Sequence, residues 1–246
     1  MHCEIDVCGG AYAAVDPGLA GQVTRVGHGV CVIEDALTHA ECDALVRKAQ
    51  VPGVLQASRT GGGMQPDRRQ SWQARCQYRE TPGVQAKLGR LMGVPVQHME
   101  ALKLIYYPTG GFFESHHDAF ARSFDPRTGA SDWACVAGGT WPNRVVTCIV
   151  YLNDVPGTGA DTGRTVFDEI GVAVRPKKGR AVVFAPAYLP TSTYRPGQRR
   201  ECMAHRGERC HADKYIATQW AWGCPYVAEK DPKSGLGPGA LSDETV

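Results

Sequence analysis

The chain has 246 residues and a net charge of +2, with 27 basic against 25 acidic side chains. That length suits one domain, and so even a charge balance leaves no electrostatic footprint for nucleic acid or an anionic membrane. No apolar run reaches the ~18 residues of a membrane span, and the opening Met1-His2-Cys3-Glu4-Ile5-Asp6 lacks the basic and apolar blocks of an export signal. A cytoplasmic location is the expectation. The ten cysteines contain no C-x-x-C pair, which excludes a zinc-finger spacing. Without an export signal they are expected to be reduced. Cys42 and Cys148 fall in core-like patterns, and a Cys202–Cys210 bridge stays open.

Residues 1–25 read as an irregular, Gly-rich arm. Val30-Cys31-Val32-Ile33 is a short apolar strand. Thr38 and Glu41 then stand at capping-box spacing, and Cys42, Leu45, Val46 and Ala49 follow with helical period. Thr81-Pro82 opens a second helix whose apolar stripe is Val84, Leu88, Leu91 and Met92. The segment from Gly61 to Arg69 between the two helices reads as a loop. From Leu102 onward the pattern becomes short β-branched or aromatic runs bounded by Gly and Pro: Leu102–Tyr107, Phe113–Asp118, Val145–Tyr151, Val172–Val174, Ala181–Ala185 and Tyr215–Trp222. Helices followed by many short strands predict an α+β arrangement built on a β-sandwich or jelly roll. Residues 227–246 have linker composition and are expected to lack fixed structure.

The segment from Tyr107 to Asp118 carries the chemistry. Strand alternation puts His116 and Asp118 on one face while His117 points away. An H-x-D pair alone is a weak signal. A histidine from a distant strand would complete a two-histidine, one-carboxylate face, which suits non-haem Fe(II) and leaves positions open for a co-substrate and O2.

In ordered motifs the chain resembles the prolyl 4-hydroxylase branch of the Fe(II)/2-oxoglutarate-dependent oxygenases. The matching residues run from Glu41-Cys42-Asp43 through Tyr107-x-x-Gly110-x-x-Phe113-x-x-His116-x-Asp118 and Arg144-x-x-Thr147 to Tyr151-Leu152-Asn153-Asp154. They continue with Thr165-Val166-Phe167, Val174-x-Pro176-Lys177-Lys178-Gly179-x-Ala181, His205-x-Gly207-Glu208 and Lys214-Tyr215-x-Ala217-Thr218-x-Trp220. The resemblance implies a double-stranded β-helix, a cupin-like jelly roll with N-terminal helices packed on the major sheet, over residues 26–226. It implies Fe(II) held by His116, Asp118 and His205. It also implies that Lys214 takes the distal carboxylate of 2-oxoglutarate, helped by Tyr107 and Thr147. O2 would be the second co-substrate, and ascorbate is compatible as an accessory reductant.

The interval from His205 to Lys214 is nine residues, one shorter than usual in that family, and lacks its proline-containing turn. His211 is therefore the alternative ligand. It lies only three residues before Lys214, too close to cross to a neighbouring strand through a turn, so His205 is the assignment.

The implied reaction is hydroxylation of an unactivated C–H bond, coupled to decarboxylation of 2-oxoglutarate to succinate. A prolyl, peptidyl or amino-acid side chain is the expected substrate. A small metabolite, nucleic-acid demethylation on the same scaffold and a catalytically silent sensing domain are the alternatives. Asp118 fills the position that a halide takes in related halogenases, which favours hydroxylation. Arg195, Arg199 and Arg200 could bind an acidic group on the substrate, although a solvated basic loop explains them as well; Trp220 could line the barrel. Oligomeric state is not encoded in any motif.

Overall fold

The computed structural model describes residues 23–59, 66–121, 141–159, 161–188 and 197–226. Twelve antiparallel strands form two sheets among these residues. The major sheet runs in the order β1 (Val23–Gly27), β2 (Val30–Ile33), β10 (Ala181–Phe184), β7 (Trp141–Tyr151), β12 (Lys214–Gly223), β5 (Leu102–Tyr107), β4 (Trp72–Cys76) and β3 (Gln56–Ala57). The minor sheet runs β6 (Phe113–His116), β11 (His205–Gly207), β8 (Thr165–Phe167) and β9 (Val172–Val174). This is the jelly roll expected from the sequence.

The major strands read as near-continuous apolar runs because both of their faces are covered. On β7, Cys148 and Val150 face a cluster shared with the helices, whereas Ile149 and Tyr151 face the space between the sheets. The same split separates Leu102 and Leu104 from Ile105 and Tyr107 on β5. The first cluster is closed by helices α1 (His39–Ala49), which buries Cys42, Leu45 and Ala49, and α2 (Pro82–Met92), which buries Leu88, Leu91 and Met92.

Both helix starts follow from local chemistry. The Thr38 hydroxyl accepts from the Glu41 N–H at 3.2 Å and the Glu41 carboxylate accepts from the Thr38 N–H at 2.7 Å. Such a cap contributes about 1 kcal/mol. Pro82 sits in the first turn of α2, and Gly93 ends it at φ +64°, in the left-handed region.

Several bounds differ from the sequence reading. Strand β1 begins at Val23, inside the arm expected to be irregular through residue 25. Strand β6 stops at His116, so Asp118 lies in the bend beyond it. Strand β4 has no counterpart among the predicted elements, because Gln73 and Arg75 interrupt its apolar pattern. The tail at 227–246, most of the arm and the Gly61–Gly63 stretch lie outside the described residues. Cys202 and Cys210 are not joined by a disulfide.

The two sheets are tied together by Tyr151, which is fully buried. Its hydroxyl shares a hydrogen bond with Thr165 Oγ1 at 2.7 Å and donates to the Val174 carbonyl at 3.1 Å. Tyr151→Phe keeps the ring and takes this partner from both the Thr165 hydroxyl and the Val174 carbonyl, at an expected cost of about 1–3 kcal/mol. The urea midpoint should fall with an unchanged slope. An unmoved midpoint would show that packing alone joins the sheets there.

Candidate metal and co-substrate site

His205 opens β11 and His116 closes β6, and the antiparallel register sets them directly opposite each other. Opposed residues share a face, and the two rings lie 4.4 Å apart between centroids. Asp118 reaches the same point from the bend after β6. Its Oδ1 is 3.8 Å from His116 Nε2 and its Oδ2 is 3.7 Å from His205 Nε2. Among the described residues these three form the one group of His, Cys, Asp and Glu side chains close enough to share a metal.

The tautomers suit that use. His116 Nδ1 lies 2.9 Å from the Glu114 carbonyl and His205 Nδ1 lies 3.1 Å from the Met203 carbonyl. A carbonyl can only accept, so each Nδ1 carries the hydrogen and each Nε2 offers a lone pair toward Asp118. Burial, followed by the neighbouring His205, pushes the His116 imidazole down to about 3, which keeps it neutral. Burial alone would raise the Asp118 carboxyl, but His205, His116 and the Arg144 guanidinium outweigh it and hold the group below its ordinary value. Aromatic faces fix the rings: Phe113 stacks on His116 at 3.6 Å, while Phe184 and Phe167 close on His205 at 4.9 and 5.3 Å.

The other two histidines stand apart. His117 Nε2 is 3.2 Å from Glu201 Oε2. His211 places Nδ1 2.9 Å from the Asp161 carbonyl on an exposed loop. The shortened interval before Lys214 therefore leaves His205, and not His211, beside Asp118.

Lys214 starts β12, opposite Tyr107 on β5, and is 2 % exposed. Its ammonium donates to the Gly163 carbonyl at 2.9 Å and lies 4.4 Å above the Tyr107 ring. No acidic side chain pairs with it among the described residues. Glu208, the nearby carboxylate, is held at 2.7 Å by both arms of Arg164. Burial drives the Lys214 pKa down. A buried cation without a counter-ion costs several kcal/mol, and an incoming carboxylate offsets that cost. Burial also raises the Tyr107 phenol, which stays protonated and able to donate.

The expected role of Thr147 is corrected by this geometry. Its hydroxyl donates to Asp118 Oδ2 at 2.9 Å. Thr147 pairs with Trp220, six residues along β12 from Lys214 and so about 20 Å away at strand rise. It orients the metal-side carboxylate and cannot share a carboxylate with Lys214. Thr165 is the strand threonine on the Lys214 side by register: it pairs with Gly207, where a Cβ would stand 3.8 Å from the Lys214 ammonium. The Thr165-Val166-Phe167 motif was visible in the sequence, but nothing local marked Thr165 as facing a cation. Gly163 permits the close approach: its φ is +69°, and a Cβ there would meet Cys210 Sγ at 2.9 Å and Lys214 Cδ at 3.2 Å.

Two of the three arginines expected to meet substrate are committed elsewhere. Arg200 is 2 % exposed and donates to the Ala185 and His28 carbonyls, which makes it a structural clamp. Arg199 pairs with Glu201 at 2.8 Å. Arg195 lies outside the described residues. Trp220 does line the interior, 8 % exposed, between Lys103 Nζ at 4.2 Å and the Arg144 guanidinium at 4.1 Å.

A family model of the 2OG-Fe(II) oxygenase superfamily matches residues 102–222. The chain is 28% identical over 210 residues to prolyl 4-hydroxylase 1 of Arabidopsis thaliana, covering 78% of this chain and 68% of that one. It is 38% identical over 99 residues to the human prolyl 4-hydroxylase subunit alpha-1, covering 40% of this chain but only 16% of that subunit. Among solved structures, the viral collagen prolyl hydroxylase of Paramecium bursaria Chlorella virus-1, in its 2OG complex, superposes with a TM-score of 0.54 at 23% identity, over 78% of this chain and 93% of that one. A Pseudomonas putida prolyl-4-hydroxylase gives 0.53 at 17%, over 86% and 98%. At these identities the structural likeness bears on the fold. The family match spans strands β5 to β12 and takes in the whole His–Asp–His cluster together with Lys214, so residues 102–222 carry a domain of the 2OG-Fe(II) oxygenase superfamily.

Proposed function

We propose that this chain hydroxylates a prolyl residue in a peptide or a related amino-acid side chain. In this reading His116, Asp118 and His205 hold Fe(II), and Lys214 with Tyr107 and Thr165 takes the distal carboxylate of 2-oxoglutarate. The observation that carries it is the buried Lys214 ammonium, without an acidic partner among the described residues, on the major sheet that faces the minor sheet's metal cluster. When bound, Fe(II) and 2-oxoglutarate supply the O2-activating chemistry: 2-oxoglutarate leaves as succinate and CO2, and one oxygen atom enters a C–H bond as hydroxyl.

The chain's own residues do the positioning. Thr147 and the two imidazole–carbonyl hydrogen bonds hold three ligand atoms in one place before any metal arrives. Phe113, Phe167 and Phe184 keep water from the ligands. Proline as the target rests on the relatives: several carry the name prolyl 4-hydroxylase, and a Trichoplax adhaerens prolyl hydroxylase of the same fold was solved with a hypoxia-inducible-factor peptide fragment. The direct experiment supplies proline-containing peptides with Fe(II), 2-oxoglutarate and O2, and follows succinate and hydroxyproline together. Equimolar products support the assignment; succinate that never depends on a proline substrate would sink it.

Metal binding should fail in His116→Ala, Asp118→Ala and His205→Ala, since each removes one of three protein ligands, while His117→Ala and His211→Ala keep it. Thr147→Val preserves packing but removes the hydrogen bond to Asp118, and should weaken metal affinity by about 10–100-fold. Metal titration of the purified variants reads both. Loss of binding in His211→Ala with retention in His205→Ala would reverse the ligand assignment.

Lys214→Met replaces a buried charge with an apolar group of similar length. Removing one partner of a buried charged pair costs about 3–5 kcal/mol, so 2-oxoglutarate affinity should drop about a hundredfold or more. The ligand-free variant should melt no lower than the parent, because the buried charge has gone. 2-Oxoglutarate should then no longer raise its melting temperature. An unchanged 2-oxoglutarate affinity would move the distal carboxylate to another cation.

A further inference from the structure

Between the sheets, on the metal side of Lys214, lies a second cation that the site described above does not use. Lys103 follows Leu102 and precedes Leu104, both of which face the helix-side core, so it points into the space between the sheets with Ile105 and Tyr107. It stands opposite Thr218 on β12 and Arg75 on β4. Its Nζ lies 4.2 Å over the Trp220 ring. Trp220 in turn pairs with Thr147, the residue bonded to Asp118. Lys103 is thus one side chain removed from the residues that surround the metal cluster. Along β12 it is level with a residue four places from Lys214, about 13 Å at strand rise. The two ammonium groups cannot serve the same carboxylate.

Lys103 makes no hydrogen bond or ion pair with any described residue. The carboxylate nearest in charge, Glu100, is already engaged by the Arg144 guanidinium, at 3.0 Å from Nη2, and by Trp222 Nε1 at 2.9 Å. Arg69 is engaged at the other end of β5: its Nε donates to Ser71 Oγ at 2.7 Å, its guanidinium covers Phe113 at 4.2 Å and it hydrogen-bonds the Tyr107 side chain. Burial first, then Arg144, Arg75 and Arg69, push the Lys103 ammonium down to about 7 against the pull of Glu100. A half-buried cation facing the cleft, with its aromatic platform in place and no acceptor among the described residues, matches the chemistry of an anion seat.

We infer that Lys103 is a specificity-determining subsite for a carboxylate on the substrate. The substrate is then an acidic one: a proline next to an Asp or Glu in a peptide, or a proline whose own main-chain carboxylate is free. This deepens the hydroxylase reading and rests on it for the identity of the reaction. Trp220 packs against the substrate's apolar part while the ammonium holds its charge.

The test uses the metal- and 2-oxoglutarate-loaded protein under anaerobic conditions, so that binding is read without turnover. Calorimetric titration compares amide-capped Glu-Pro and Pro-Glu peptides with their Gln counterparts, and both with free L-proline. The acidic member should bind about tenfold or more tightly, the worth of one charge-assisted hydrogen bond. That preference should collapse to within about twofold in Lys103→Gln and survive in Lys103→Arg. A preference confined to free L-proline would make the main-chain carboxylate the recognised group; a preference among the capped peptides would make it the acidic side chain. Equal binding of acidic and neutral members, an absence of binding by all of them, or a preference that persists in Lys103→Gln overturns the subsite. Separate aerobic assays keep the two readings apart. Hydroxyproline formed without acid preference removes the subsite alone, whereas acid preference without hydroxyproline removes proline as the target and leaves the carboxylate seat standing.

Discussion

The register between β6 and β11 is the constraint on which the site depends. Each strand is short, and a one-residue slip would turn one histidine to the opposite face. The segments around them are pinned by backbone bonds outside the strands: the Gly110 N–H donates to the Cys210 carbonyl at 2.6 Å and the Cys210 N–H to the Gly111 carbonyl at 3.0 Å. Those bonds also fix where β12 begins, and hence where Lys214 stands. Metal and co-substrate geometry are therefore two consequences of one set of strand pairings.

The interior this creates is unusually charged for a space between two sheets. Asp118, Glu100, Lys214 and Lys103 all lie there or border it, together with Arg144. Some of this charge is neutralised internally, as in the Arg144–Glu100 pair. Lys214 is not. Burying an ammonium beside a carbonyl, a thiol and an aromatic face, with no acidic side chain paired to it among the described residues, lowers the stability of the ligand-free protein, and a functional site commonly carries that kind of cost. Ligand binding then restores the missing partner, which couples the stability of the fold to occupancy of the site.

The helices were legible because their ends carry local chemistry: Thr38 with Glu41, and Pro82 after Thr81, need no tertiary information. The apolar strands were legible for the same reason, since β7 and β10 are apolar on both faces. Strand β4 was not, because Gln73 and Arg75 face the interior cleft and so look polar where a strand pattern wants Val or Ile. The metal ligands were readable from residue type and spacing, but what turns Asp118 inward is the bend after β6 and the Thr147 hydroxyl, not alternation along one strand. Thr147 and Thr165 show the limit most clearly. Both are strand threonines in recognisable motifs, and only the pairing of β7 with β12 and of β8 with β11 tells which lies at the metal end and which beside Lys214. Arg200 was misleading in the opposite way: a basic loop residue is usually solvated, yet here it is buried and donates to two backbone carbonyls.

The distribution of hydrogen bonds separates the fixed part of the site from the part free to change. Removing Thr147 strips a donor from Asp118, and removing His205 strips one from the Met203 carbonyl, so each loss leaves a buried acceptor unsatisfied. Lys103 is different. Its contact within the described residues is to the face of Trp220, and its loss orphans no acceptor. Deleting a group whose partner lies outside the protein avoids the larger penalty, which comes from the polar atom left behind. Substitutions on the β5 side of the cleft can thus alter which molecule is admitted with little effect on the fold, whereas those on β6, β7 and β11 disturb the chemistry and the core together. An iron-binding scaffold with this asymmetry can change substrate by changing residues such as Lys103 while β12 continues to hold the same co-substrate.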